Sequence, residues 1–160
     1  MKLIPLTATD APACYDVFSR AVHEGTGAFY SAEQQGAWAP KHTAPPQDWA
    51  DRLQQAVAIG AWARCWGCGP KKLVGFMVMG RDGHIDFAYV LPNEMGKGTA
   101  QKLYAACETQ ARALGLRTLD TQASHLAKRF FEKNGWHVTA RQTVIRNGVG
   151  IENFRMEKPL

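Results

Sequence analysis

Apolar residues recur along this chain at two different periods, and the switches between them lay out its elements. Cys14, Val17, Phe18, Ala21 and Val22 recur at helical spacing behind Thr9 or Asp10 as cap. That stripe predicts a helix with one buried face, preceded by a short strand at Lys2–Leu6. Ser31 caps a second helix through Ala37-Trp38, which Pro40 stops, and Pro46–Gln55 forms a third after the Pro45-Pro46 break. Three β-like runs follow at Val57–Arg64, Leu73–Met79 and His84–Val90. Gly67, Gly69-Pro70 and Asp82-Gly83 punctuate them, which predicts an antiparallel meander.

Beyond Pro92 the period turns helical again. Leu103, Cys107, Ala111 and Leu114 form a stripe closed by Gly115, and Leu116–Thr121 reads as the next strand, so strand, helix and strand imply a parallel crossover. Ser124 caps a short helix carrying Leu126, Phe130 and Phe131 and ending at Gly135. Trp136–Arg146 and Val149–Met156 then make a hairpin around Asn147-Gly148. The fold class is α/β of the α+β kind: a mixed, mostly antiparallel sheet of about seven strands flanked by about four or five helices. Such sheets bind ligands where strand connections diverge at their carboxyl ends, which singles out the loop after Val90.

Composition narrows this further. A chain of 160 residues with 46% apolar side chains buries its surface in one core, so residues 1–160 form a single domain. Met1-Lys2-Leu3-Ile4-Pro5 has no signal-peptide pattern, and no apolar run approaches the ~20 residues of a membrane span; the expected location is cytoplasmic. Four cysteines without a secretion signal read as reduced thiols. Cys65-Trp66-Gly67-Cys68 has zinc-knuckle spacing but no second Cys or His pair to complete a site, so no metal is expected and a glycine-rich turn is the simpler reading. From Lys97 onward there are eleven Lys/Arg against five acidic residues, a field able to steer an anion. Neither a DNA-reading helix nor an aromatic-interleaved basic motif accompanies it, which argues against nucleic acid as partner.

The candidate chemistry lies at Met95-Gly96-Lys97-Gly98-Thr99-Ala100, between a strand and a long helix. Free backbone N–H groups and a helix N-terminus there hold a phosphate, and glycine lets it approach closely. A dinucleotide fingerprint needs Gly or Ala where Gln101 stands, and a P-loop needs Ser or Thr where Gly98 stands.

With its preceding strand, Ala88-Tyr89-Val90-Leu91-Pro92-Asn93-Glu94, this loop resembles the GNAT superfamily of N-acetyltransferases. That family's motif reads Gln/Arg-x-x-Gly-x-Gly/Ala after a bulged strand and Val-x-Pro. The resemblance continues through Ala123-Ser124-His125-Leu126-Ala127-Lys128-Arg129-Phe130-Phe131-Glu132-Lys133-Asn134-Gly135-Trp136. Upstream, Tyr30-Ser31-Ala32-Glu33-Gln34 and Ala37-Trp38-Ala39-Pro40 look like a segment of an uncharacterised bacterial subgroup. Two positions depart from the family: Met95 replaces Gln/Arg, and Phe131 replaces a frequent tyrosine.

The resemblance implies an acetyl-CoA-dependent N-acetyltransferase acting on a primary amine of a small molecule or peptide, with a homodimer as a common arrangement. It places the pyrophosphate on Met95, Gly96, Lys97, Gly98, Thr99 and Ala100, with Lys128 as a further phosphate contact. The thioester falls near Tyr89 and Val90, with Phe131 beside the thiol end. Deprotonating a lysine-like amine at pH 7 costs about 4.6 kcal/mol, so a base is needed. Regular alternation puts His84, Asp86, Ala88 and Val90 on one strand face; both His84 and Asp86 are candidates, with Asp86 able to pair with His84. The acceptor wall falls to His23, Tyr30 and Trp38 on the first two helices and their connection. With the acid tyrosine replaced, Tyr89, Tyr104 or water remains to protonate the thiolate, and a CoA-binding module without catalysis is the alternative function.

Overall fold

A computed structural model describes residues 1–41, 44–63 and 71–160, and its elements follow the order expected above. They are β1 Lys2–Pro5, α1 Ala11–Gly25, α2 Ala32–Trp38, α3 Asp48–Gln55, β2 Val57–Ala63, β3 Lys72–Met79 and β4 His84–Val90. After a 3₁₀ turn at Pro92–Glu94 come α4 Thr99–Ala113, β5 Thr118–Ala123, α5 His125–Lys133, β6 His137–Arg146 and β7 Val149–Pro159. The end of the Val57–Arg64 run, its Gly67/Gly69-Pro70 turn and the Cys65–Cys68 pair lie outside the described residues.

Local chemistry explains most boundaries. The Ser31 hydroxyl accepts from Gln34 N at 3.2 Å while Gln34 Oε1 accepts from Ser31 N at 2.9 Å, a reciprocal cap that starts α2. Ser124 Oγ accepts from Ala127 N at 3.1 Å and starts α5. Two expected boundaries move. Gly115, at φ 74°, lets Leu116 N reach back to Ala111 O at 3.1 Å; Leu116 therefore belongs to the helix end, and β5 begins only at Thr118. Leu114, read as part of the buried stripe, is exposed at this cap. β7 extends to Pro159 because it pairs with β5 as far as Thr118↔Pro159.

The strands form one sheet in the order β1-β2-β3-β4-β5-β7-β6, antiparallel except for β4 and β5. Cys14, Val17, Phe18, Ala21 and Val22 of α1 are all buried, and burying side chains of the larger kinds stabilises by about 1.5–3 kcal/mol each. Phe18 packs edge-on to Tyr89 at 5.0 Å and Trp49 of α3 lies 4.6 Å from Phe87, so α1 and α3 cover one face of the sheet. The opposite face carries α4. At Gly75 an added Cβ would lie 2.7 Å from Val90 Cγ1 and 3.3 Å from Leu103 Cδ1, so only glycine admits this close packing. Cys14 and Cys107 are buried free cysteines within this core. α2 packs on the β6–β7 hairpin through a smaller cluster of Tyr30, Ala37 and Ile151. No described helix is long and apolar enough to cross a membrane.

Candidate active site

β4 and β5 pair only at His84↔Asp120 and Ile85↔Thr121 and then diverge. Beyond that point β4 presents its backbone to a gap, and two cavities adjoin it. The two cavities share Trp38, Tyr89 and Ser124.

The first cavity, about 470 Å³, lies under the glycine loop and is walled by Ala88, Val90, Leu103, Phe130 and Phe131. Gly96 and Gly98 adopt φ 79° and 80°, and nothing lies within 4 Å of a Cβ added at either, so the loop is an open cradle made of backbone. Gly98 caps α4, whose first backbone bond runs from Lys102 N to Gly98 O at 3.0 Å; the N–H groups of Thr99, Ala100 and Gln101 precede it and remain free. Glu94 also lines this cavity and accepts from Thr99 Oγ1 at 3.1 Å and from Lys97 Nζ at 3.1 Å. Lys97 therefore points to Glu94 and stays out of the cavity lining.

The second cavity, about 640 Å³, lies on the α1 side between α3, the end of α2 and the β6–β7 hairpin. Here strict alternation along β4 fails. Val78 pairs with Phe87 while Met79 pairs with Ile85, so Asp86 is an extra residue in a bulge. As a result His84 and Asp86 line this cavity with Phe87 and Tyr89, whereas Ala88 and Val90 line the other. The expected Asp86–His84 pair is also absent. Asp86 Oδ2 lies 3.4 Å from Arg52 Nη2, and His84 Nδ1 lies 2.6 Å from Asp120 Oδ2. Arg52 also lies over the Phe87 ring at 5.1 Å.

The remaining candidates separate into lining and support. Trp38 stands at the junction, 6.4 Å from Tyr89 and edge-on to Tyr30 at 5.4 Å. Tyr30 lines the second cavity with its ring, but its hydroxyl donates to Glu152 O at 2.8 Å and accepts from His125 N at 3.1 Å, making it a strut between the α1–α2 connection, β7 and α5. His23 lines neither cavity; its Nε2 is 2.8 Å from Ala39 O and ties α1 to the end of α2. Lys128 also lines neither, being paired with Glu132 at 3.3 Å and laid over Phe154 at 5.0 Å. On α5, Arg129 and Lys133 are the cations that border the first cavity. They sit on the flank that continues from Leu126 and Phe130 at helical spacing, turned from the one that carries Lys128. Arg52 and Asp120, which pair with Asp86 and His84, and Asn153 in the lining of the second cavity come from separate segments with no local sequence pattern.

Electrostatics separate the tyrosines. Burial pushes the Tyr89 phenol up, and a hydrogen bond with Trp38 opposes this only in part. It therefore stays protonated and can donate a hydrogen bond. Tyr104 lies away from the junction, accepting from Trp136 Nε1 at 3.0 Å and Lys158 Nζ at 2.9 Å. Phe131, buried, lines the first cavity and supplies no proton. Among the described residues no group of His, Cys, Asp and Glu is placed to hold a metal ion.

Residues 28–160 match the Acetyltransferase (GNAT) domain family. The fold is similar to a GCN5-related N-acetyltransferase from Rhodopseudomonas palustris, at 33% identity and TM-score 0.83 over 99% of this chain and 95% of the other. It is also similar to the PaiA N-acetyltransferase of Thermoplasma acidophilum, solved in complex with coenzyme A, at 16% identity and TM-score 0.73 over 99% and 98%. The ribosomal-protein-S18-alanine N-acetyltransferase of Escherichia coli shares 17% identity at TM-score 0.64 over 99% and 92%. No curated protein sequence matches.

Proposed function

The chain belongs to the GNAT acetyltransferase family, and on that premise we propose that it transfers an acetyl group from acetyl-CoA to a primary amine of a small molecule or peptide by direct attack. The observation that carries this reading is the meeting of two cavities at Trp38, Tyr89 and Ser124, where β4 and β5 part. One cavity has the open cradle and cations for a pyrophosphate. The other has the carboxylate and imidazole for an amine.

The residues present fit coenzyme A. Its pyrophosphate suits the free N–H groups of Thr99, Ala100 and Gln101, supported by Arg129 and Lys133. Bound there, it supplies an activated thioester whose carbonyl carbon takes the amine. The unpaired edge of β4 near Tyr89 and Val90 offers backbone N–H groups to the arm and to the carbonyl oxygen as it gains negative charge. The amine nitrogen loses a proton to Asp86 or to His84; Asp120 holds His84 Nδ1, which leaves Nε2 as the nitrogen that takes it. As the new C–N bond forms the C–S bond breaks, and the departing sulfur takes a proton from water, with the Tyr89 hydroxyl able to donate a hydrogen bond to it. A thiolate with a pKa near 8.5 costs only about 2 kcal/mol at pH 7, so the chemistry tolerates phenylalanine at position 131.

That phenylalanine also motivates the second reading, a CoA-binding module without catalysis. Calorimetric titration with acetyl-CoA, followed by thiol release over an amine panel, decides among the outcomes. Saturable binding that Gly98→Glu weakens by at least about 100-fold, with thiol release on some amine, is the expected result. Binding without release on any amine selects the second reading. No binding by folded wild-type protein sinks both.

A further inference from the structure

We propose that the acceptor is an amine that also carries an anionic group, carboxylate or phosphate, at the far end of an apolar stretch, with Asn153 receiving the amine end and Arg146 the anion. This rests on the acetyl-transfer reading above and names the substrate class of the same site.

The polar groups around the acceptor cavity are nearly all engaged. Asp48 and Asp86 share Arg52, at 3.5 and 3.4 Å. His84 holds Asp120, and Glu152 is taken by Arg141 and His125, both at 2.7 Å. Two groups of the lining have no partner among the described residues. The Asn153 Oδ1 is buried without a hydrogen bond, and the Arg146 guanidinium has neither an ion pair nor a hydrogen bond. A buried amide oxygen without a partner is uncommon in folded proteins and asks for a donor; an arginine fork suits a planar carboxylate or a phosphate.

Their placement makes them two ends of one site. Asn153 lies one residue beyond the last β5–β7 pair, Ala123↔Phe154, and so lies level with Ser124, one of the residues at the junction of the cavities. A turn about its terminal torsion, which is soft for asparagine, brings Oδ1 to a ligand N–H. On β6, Gln142, Val144 and Arg146 share a face, and Gln142 pairs with Asn153. Arg146 therefore stands four residues along the strand, about 13 Å between backbones at ~3.3 Å per residue. The paired Val144 and Ile151 supply an apolar floor between the two ends. The hairpin bearing Arg146 is fixed to α2, with Asn147 Nδ2 donating to Ala37 O at 3.0 Å and Gln34 Nε2 to Gly150 O at 3.1 Å.

The test uses the full chain saturated with CoA, which reads the acceptor site without turnover. 6-Aminohexanoate, 6-aminohexyl phosphate and n-hexylamine are titrated by calorimetry. At least one of the two anionic amines is expected to bind about tenfold or more tightly than hexylamine, and which one does so identifies the anion. Arg146→Gln should bring that ratio to about one. Arg155→Gln, an exposed arginine that lines neither cavity, should preserve it. Asn153→Ala should weaken all three ligands, and Asn153→Ser provides a smaller change if the alanine variant misfolds. Equal binding of the three ligands, no binding of any, or an undiminished ratio in Arg146→Gln overturns the inference. CoA binding with turnover of hexylamine would meanwhile leave the acetyl-transfer reading standing, so the two failures are distinguishable.

Discussion

The two cavities that meet at Tyr89 are made of different material. The cavity we assign to the donor is built from backbone: Gly96 and Gly98 in the left-handed region, free N–H groups at the start of α4 and an unpaired strand edge. The cavity we assign to the acceptor is built from side chains contributed by α2, α3, β4 and the β6–β7 hairpin. Backbone recognition tolerates substitution of nearby side chains provided no bulk enters the cradle, which is why Met95 and a Lys97 engaged with Glu94 are compatible with the loop. Side-chain recognition has the opposite character. Each group can be changed alone, so the acceptor is where one fold acquires different substrates.

If that contrast holds, the largest effect should come from one acceptor-side proton carrier. Either Asp86→Asn or His84→Gln should lower kcat/KM by about 10²–10⁴, the range for a general base, while the Kd for acetyl-CoA moves little. Whichever variant does so identifies the base; a large change in donor affinity from either would break the separation of the two sides. On the donor side, Arg129→Ala should weaken acetyl-CoA by about tenfold, whereas Lys128→Ala, whose ammonium is engaged with Glu132 and Phe154, should change Kd by less than about threefold. Equal effects would restore Lys128 as a phosphate contact. Tyr30→Phe removes two hydrogen bonds from a buried strut and should reduce unfolding free energy by about 1–3 kcal/mol in denaturant titration, with KM for the amine little changed because the ring that lines the cavity is kept.

The smallest effect lies outside both cavities and sharpens the contrast as a control. Burial pushes the Glu108 carboxyl up, but hydrogen bonds with Tyr104, Arg112 and Lys158 outweigh it and bring it down to about 2. A depressed carboxyl contributes stability that is present above its unfolded value of about 4.5 and is lost as pH falls through about 2. Glu108→Gln should therefore cost about 1–2 kcal/mol at pH 7, and the difference from wild type should shrink toward zero between pH 4.5 and 2, with acetyl-CoA affinity at pH 7 unaltered.

The same contrast explains what could be read from the chain. Elements with their own local signal were legible: the α1 stripe from Cys14 to Val22, the Ser31 and Ser124 caps, and the glycine loop, whose residues are dictated by backbone conformation. Legibility failed where tertiary contacts decide. The Asp86 bulge depends on how β3 pairs with β4, and regular alternation assigned Ala88 and Val90 to the wrong side of the sheet relative to His84. Arg52 reaches Asp86 from a helix more than thirty residues upstream, and Asp120 meets His84 only because β5 aligns parallel to β4. His23 and Lys128 were plausible by residue type and neighbourhood, yet each is engaged in holding elements together.

The most direct measurement is a crystal structure of the protein with acetyl-CoA. The pyrophosphate should lie on the backbone of Gly96–Ala100, with the pantetheine arm in the gap between β4 and β5 and the acetyl carbonyl beside Tyr89, facing the cavity lined by Asp86 and His84. A donor bound elsewhere, or an acetyl group turned away from the Trp38–Tyr89–Ser124 junction, would contradict the account.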